Sequence, residues 1–233
     1  DLVFGFSNRV AAYFYADGPS ENASGDGRPT TTDKGRTINP ARPLLTQLAY
    51  EWAEDTPSFP VHPKVIPYLT SDRAQWGDPV FKANDQDLIR RWAAAGPAFL
   101  ATWDYYEGAG YFVPRFYPAL MEDSIRFLHR NNVRAFYAEG PPIWGFDAPK
   151  FWIASRLLWD SQRDAGDLLK RFCQSMYGPA AEPMRSFFLR CEEQWMLQFS
   201  EAFHRRFFAK PRPARSSPPA ATDADPLPAH PEM

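Results

Sequence analysis

No apolar run in this sequence approaches the roughly 20 residues that a membrane-spanning helix requires. Charge of either sign is in no excess: 26 basic side chains face 28 acidic ones, for a formal net charge of -2. A chain so balanced has no field that would draw it to nucleic acid or to an anionic bilayer. Cysteine is scarce, at Cys173 and Cys191 only, and both fall on apolar stripes of predicted helices. Buried free thiols fit that placement best, with a bond between neighbouring helices left open. The four histidines, His62, His129, His204 and His230, lack the spacings that ligate a metal, so no metal site and no cofactor is expected. A secretory leader pattern is missing too, which leaves the compartment open.

Aromatic side chains are what the sequence has in abundance: 19 Phe, 10 Tyr and 8 Trp. With 44% hydrophobic residues in 233, the chain can bury one sizeable core. Most aromatics fill cores. Aromatics set among acids also suit sugar binding, because sugar rings stack on indole and phenol faces.

Val3, Phe6, Val10 and Phe14 recur at helical steps and predict a helix over 1–16. An opening helix is odd for an α/β protein, and a preceding strand is expected beyond this sequence. Residues 17–43, rich in Gly, Pro, Ser and Thr, read as a long mobile insertion. A strand over 44–50 ends in Glu51. A second over 65–69, which Pro67 demotes to an irregular one, ends in Ser71, Asp72 and Arg73. Asn84 or Asp85 is expected to cap a helix running to Ala95, stopped by Gly96-Pro97.

The continuous apolar run from Ala98 reads as a buried parallel strand. It ends abruptly in Trp103, Asp104, Tyr105 and Tyr106. A helix over 119–131, with Leu120, Ser124, Phe127 and Leu128 on one face, leads to a fourth strand over 133–138 that ends in Glu139-Gly140. From Asp147 the pattern is helical, over 148–159, 164–177 and 180–208, with Met176 among the inward residues of the second. Residues 209–233, rich in Pro and Ala, read as a disordered tail. Strands alternating with helices argue a parallel sheet. The expected division is a β/α unit over 1–146, a helical region over 147–208 packed on it, and the tail.

Each predicted strand carries an acid at or just past its carboxyl end: Glu51, Asp72, Asp104 and Glu139. In a β/α barrel those ends form the active face. Glycoside hydrolysis needs two carboxyl groups flanking one bond. Asp104 and Glu139 on neighbouring strands, about 4.8 Å apart at the backbone, are the expected catalytic pair, with one pKa raised by the other's charge. Glu51 is expected on a neighbouring hydroxyl, alongside Tyr50 and Asp72, with Trp103, Tyr105, Tyr106 and Trp144 as stacking walls. The competing reading of each acid is a strand-end carboxylate bonded to loop amides or to an arginine such as Arg73 or Arg115.

The segment 44–51, the run Trp103-Asp104-Tyr105-Tyr106, the strand ending in Glu139-Gly140, Leu157-Leu158-Trp159-Asp160 and Tyr177-Gly178-Pro179-Ala180-Ala181 succeed one another as they do in the bacterial domain of unknown function 4838. Over residues 1–195, apart from the loop at 17–43, the chain resembles that family. The resemblance implies a glycoside-hydrolase-like (β/α)8 barrel similar to α-glucuronidases, of which this chain holds the C-terminal half, about four of the eight strands. It implies a carbohydrate substrate or ligand and an extracytoplasmic or secreted location. It also implies that part of the catalytic site lies outside this chain. The alternative is a non-catalytic carbohydrate-binding domain or an inactive fragment.

Overall fold

A computed structural model describes residues 1–15, 30–31, 37–38, 44–107, 115–140 and 144–200. In chain order come α1 (Leu2–Tyr15), the two-residue strands β1 (Thr30–Thr31) and β2 (Thr37–Ile38), β3 (Leu45–Ala49), β4 (Val65–Thr70), α2 (Pro79–Ala94), β5 (Leu100–Tyr105), α3 (Pro118–Arg130), β6 (Val133–Glu139), α4 (Trp144–Trp159), α5 (Ala165–Tyr177) and α6 (Ala181–Leu197). The β3, β4, β5 and β6 strands form one parallel sheet in that order. The fold is α/β, four parallel strands alternating with helices, as the sequence pattern requires. The expected insertion at 17–43, apart from β1 and β2, and the tail from 201 onward lie outside the described residues. Residues 1–199 make one compact unit.

Two apolar clusters hold this unit. One joins α1, α2 and α3 to the sheet through Phe4, Ala49, Leu69, Trp92, Leu100 and Leu128. The other joins α3 to α4, α5 and α6 through Ile125, Leu157, Leu169, Phe172 and Phe188. Cys173 and Cys191 sit in the second cluster as buried free thiols. Among the described residues no helix is long and apolar enough to cross a membrane.

Four local expectations need correction. In α1 the buried face is Phe4, Ser7 and Ala11, while Phe6 is 63% exposed. Polar side chains set that rotation: Ser7 Oγ donates to Gln47 Oε1 at 3.2 Å, and Asn8 Nδ2 donates to the Pro60 carbonyl at 2.8 Å. An apolar count alone does not see those bonds. The α2 helix starts six residues before the expected cap, because Asp78 accepts from Val80 N and Phe81 N and Pro79 takes the first helical position.

Pro67 lies in β4, an inner strand of the sheet, and pairs in register with Gln47 of β3. The alternation from Lys64 O, which accepts from Leu45 N, to Ser71 N, which donates to Trp103 O, turns odd residues of β4 toward β5. Pro67 thus stands one residue before the first β4–β5 pair, Tyr68 with Ala101, where no donor is needed. Finally, Met176 faces outward rather than inward, being 64% exposed.

Candidate functional site

Successive side chains of a strand point to opposite faces of a sheet. Here the register pairs Thr70 with Trp103, Trp103 with Tyr137, and Tyr105 with Glu139. Tyr50, Thr70, Trp103, Tyr105, Tyr137 and Glu139 therefore share one face. Ala49, Leu69, Thr102, Asp104, Phe136 and Ala138 share the other, which packs on the helices. On the first face Tyr50 is 45% and Tyr137 46% exposed. Trp103 and Tyr137 lie ring against ring with centroids 4.1 Å apart. The Trp103 indole Nε1–H donates to Glu139 Oε1 at 2.9 Å. Burial, together with the neighbouring Tyr50 side chain and the charges of Glu139 and Asp72, keeps the Tyr105 hydroxyl protonated.

Asp72 reaches this rim from the turn after β4, and Arg115 Nη2 donates to its Oδ1. Arg115 is in turn fixed by donating from Nη1 to the carbonyls of Tyr105 at 2.6 Å and Glu107 at 3.0 Å. Lys150, fully buried in α4, donates to the Arg115 carbonyl at 2.8 Å and pairs with Asp147 at 2.9 Å. Burial lowers the Lys150 ammonium from its usual value to about 8, with Asp147 opposing that shift. The folded state then binds fewer protons than the unfolded one between pH 8 and about 10.4, so stability rises as pH climbs through that interval. Urea unfolding at pH 8, 9 and 10 should show this rise in wild type and lose it in Lys150→Met. An equal rise in both would remove Lys150 as its source.

Asp104 is not on the rim. Its side chain lies on the helix face, fully buried, with Oδ1 accepting from Arg73 N at 3.2 Å and Tyr105 N at 2.8 Å. Arg73 Nη1 stands 3.7 Å from Asp104 Oδ2, and Arg73 Nε stands 3.0 Å from Asp85 Oδ2. The expected Asp104–Glu139 pair thus fails on parity. Glu139 pairs in register with Tyr105, one residue on, so the two carboxylates point to opposite faces of the sheet. The Asp104 carboxyl is nonetheless raised to about 6, by burial and by the charge of Asp72, against the pull of Arg73.

Tyr106 also leaves the expected wall. It is buried on the helix side, its ring centroid 5.6 Å from Phe136 and 6.1 Å from Phe151. Glu51 is exposed and opens a short 3-10 turn at φ 51. The Trp144 side chain lies outside the described residues.

Of the expected set, the structure brings together Tyr50, Asp72, Trp103, Tyr105 and Glu139. It adds Tyr137, whose parity with Glu139 was available from the strand 133–138, and Arg115, named beforehand only as a competing partner for an acid. A cleft of about 550 Å³ lies elsewhere, lined by His129, Arg134, Phe136, Leu157 and Trp159 and by none of the rim residues. Among the described residues no cluster of His, Cys, Asp and Glu could hold a metal ion.

No curated protein matches the chain. No solved structure matches it either. Residues 37–190, which span all four sheet strands and α2 to α5, match the family described as Domain of unknown function (DUF4838). That match takes in well over half of the sequence and every rim residue described above, and the chain belongs to the DUF4838 family.

Proposed function

We propose that the rim formed by Tyr50, Asp72, Trp103, Tyr105, Tyr137 and Glu139 binds carbohydrate, as part of a glycoside-hydrolase-like domain. One observation carries the reading: Glu139 is held by the Trp103 indole N–H on the face where Trp103 and Tyr137 lie together. A carboxylate fixed at the edge of an aromatic surface offers an acceptor to sugar hydroxyls beside a platform for the ring's C–H face.

Hydrolysis is the second reading, and it rests on a different pair from Asp104 and Glu139. Asp72 and Glu139 both act on Tyr105 from either side. They stand about two strand spacings, or roughly 10 Å, apart at the backbone. Carboxyl groups about 6.5–9.5 Å apart leave room for a water and give inversion, whereas a retaining enzyme needs about 5 Å. Glu139 and Asp72 would be the acid and base of an inverting site.

Calorimetric titration with neutral and uronic-acid-containing oligosaccharides tests binding. Trp103→Ala and Glu139→Gln should each weaken it about tenfold or more, the effect of losing a hydrogen bond to a charged group. Affinity unchanged in both variants, or no binding by wild type, overturns the proposal. An assay for released reducing sugar or uronic acid, comparing wild type with Glu139→Gln and Asp72→Asn, separates turnover from binding.

A further inference from the structure

The β4–β5 ladder runs out just before the rim. Its last main-chain rung is Ser71 N donating to Trp103 O at 3.1 Å. Past that point the strand ends carry Asp72 and Tyr105, and a side chain takes over the ladder's work. Asp104 Oδ1 accepts from Arg73 N, 31 residues away, and from Tyr105 N. One carboxylate oxygen therefore ties the amide next to Asp72 to the amide of Tyr105. We infer that Asp104 is a positioning residue for the rim: its ionised carboxylate clasps the ends of β4 and β5, and its protonation loosens the spacing of Asp72 and Tyr105 on the opposite face.

The surroundings of Asp104 fit a group that changes charge. Among the described residues its Oδ2 accepts no hydrogen bond, and the buried Tyr106 hydroxyl has no hydrogen-bond partner. From the turn after β4 it meets the guanidinium of Arg73 and the charge of Asp72. Asp85 of α2 shares Arg73 with it. Tyr106 and Tyr117 feel its charge from β5's end and from the residue before α3. One cation thus serves two buried carboxylates, and Asp104, 3.7 Å from it where Asp85 is 3.0 Å away, takes up a proton near pH 6. An ionised carboxylate is a stronger acceptor for amide N–H groups than a protonated one.

The clasp and the global stability then move in opposite directions with pH. The folded pKa lies above the unfolded value of about 3.9. This group's contribution to stability is full below the unfolded value and is lost as pH rises through about 6. The clasp itself strengthens over the same rise. In the uniformly 15N-labelled full chain without sugar, the amide protons of Arg73 and Tyr105 should titrate together between pH 5 and 7, moving downfield as pH rises. The titration should persist in His62→Gln and vanish in Asp104→Asn. Amides that are invariant in wild type, or that titrate with different midpoints, overturn the inference even if Asp104→Asn does not fold.

The link to function rests on the carbohydrate reading of the rim. Sugar affinity of wild type should fall severalfold between pH 7 and 5, with the amide midpoint, and be flat in Asp104→Asn. Binding that is present but pH-independent overturns the positioning role and leaves the site. Amides that titrate in a chain that binds no sugar support the clasp and overturn the site.

Discussion

Arg73→Met is expected to lower the unfolding free energy at pH 7 by about 3–5 kcal/mol, the range for removing one partner of a buried charge group. The Arg73 side chain is 1% exposed and stands against the carboxylates of both Asp85 and Asp104. Its Nη1 also donates to Thr102 Oγ1 at 2.6 Å, which passes the bond on to the Leu69 carbonyl at 2.9 Å. Methionine fills much of the volume but leaves two carboxylates in an apolar layer without a cation. Asp85 keeps the Trp76 indole donor at 2.8 Å, and Asp104 keeps its two amides. Neither set supplies a full positive charge. Against a typical stability of about 5–15 kcal/mol, such a loss leaves a marginal domain.

Two comparisons identify the cause of that loss. Combining Arg73→Met with Asp104→Asn should recover part of the loss, because one uncompensated charge is then gone. Repeating the urea titration at pH 5 should shrink the penalty, since Asp104 takes up a proton near 6 even beside the arginine. A loss below about 1 kcal/mol at pH 7, the scale of a solvated pair, would mean that the cluster is far wetter than its burial indicates.

The arginine also shows where the sequence stops being informative. The strand at 98–105 is legible because it is apolar on both faces, and that same property erases the alternation that would assign Trp103 and Asp104 to a face. Which residue meets the helices depends on pairing with β4 and β6, and the β5–β6 register carries an irregularity at Leu100 and Ala101. An acid at a strand's carboxyl end was therefore visible, but its direction was not. Asp85 misleads for a related reason. An Asp near the start of an apolar helical stripe looks like a cap, whereas Asp78-Pro79 was the better signal and leaves Asp85 inside the helix, facing Arg73.

Glu139 and Trp103 are 36 positions apart, a separation no local pattern spans. Lys150 is a cation on a predicted helix, and its burial makes sense once the carbonyl of Arg115, the carboxylate of Asp147 and the Tyr117 ring are placed around it. The alternation of strands and helices followed from local chemistry. The site followed from long-range pairing.

Trp195→Ala should cost about 3–5 kcal/mol, the range for truncating a buried large aromatic, and should disturb the rim as well as the core. Trp195 belongs to α6, beyond the end of the family match at residue 190. It nevertheless reaches the sheet's carboxyl end. Its Nε1–H donates to the Ala74 carbonyl at 3.1 Å, its ring lies 5.8 Å from Tyr117, and the Arg115 guanidinium stacks 5.4 Å from its ring centroid.

Phe199 follows and packs so closely on Gly77 that a Cβ there would run into its ring. The end of α6 thus covers the turn that carries Arg73 and braces the arginine that holds Asp72. Trp195→Phe keeps most of the apolar area and loses the indole donor, for which about 1 kcal/mol is expected. A chain ending at Arg190 should be destabilised at least as much as Trp195→Ala. If that shorter chain unfolds at the same urea concentration as the full one, α6 does not brace the rim.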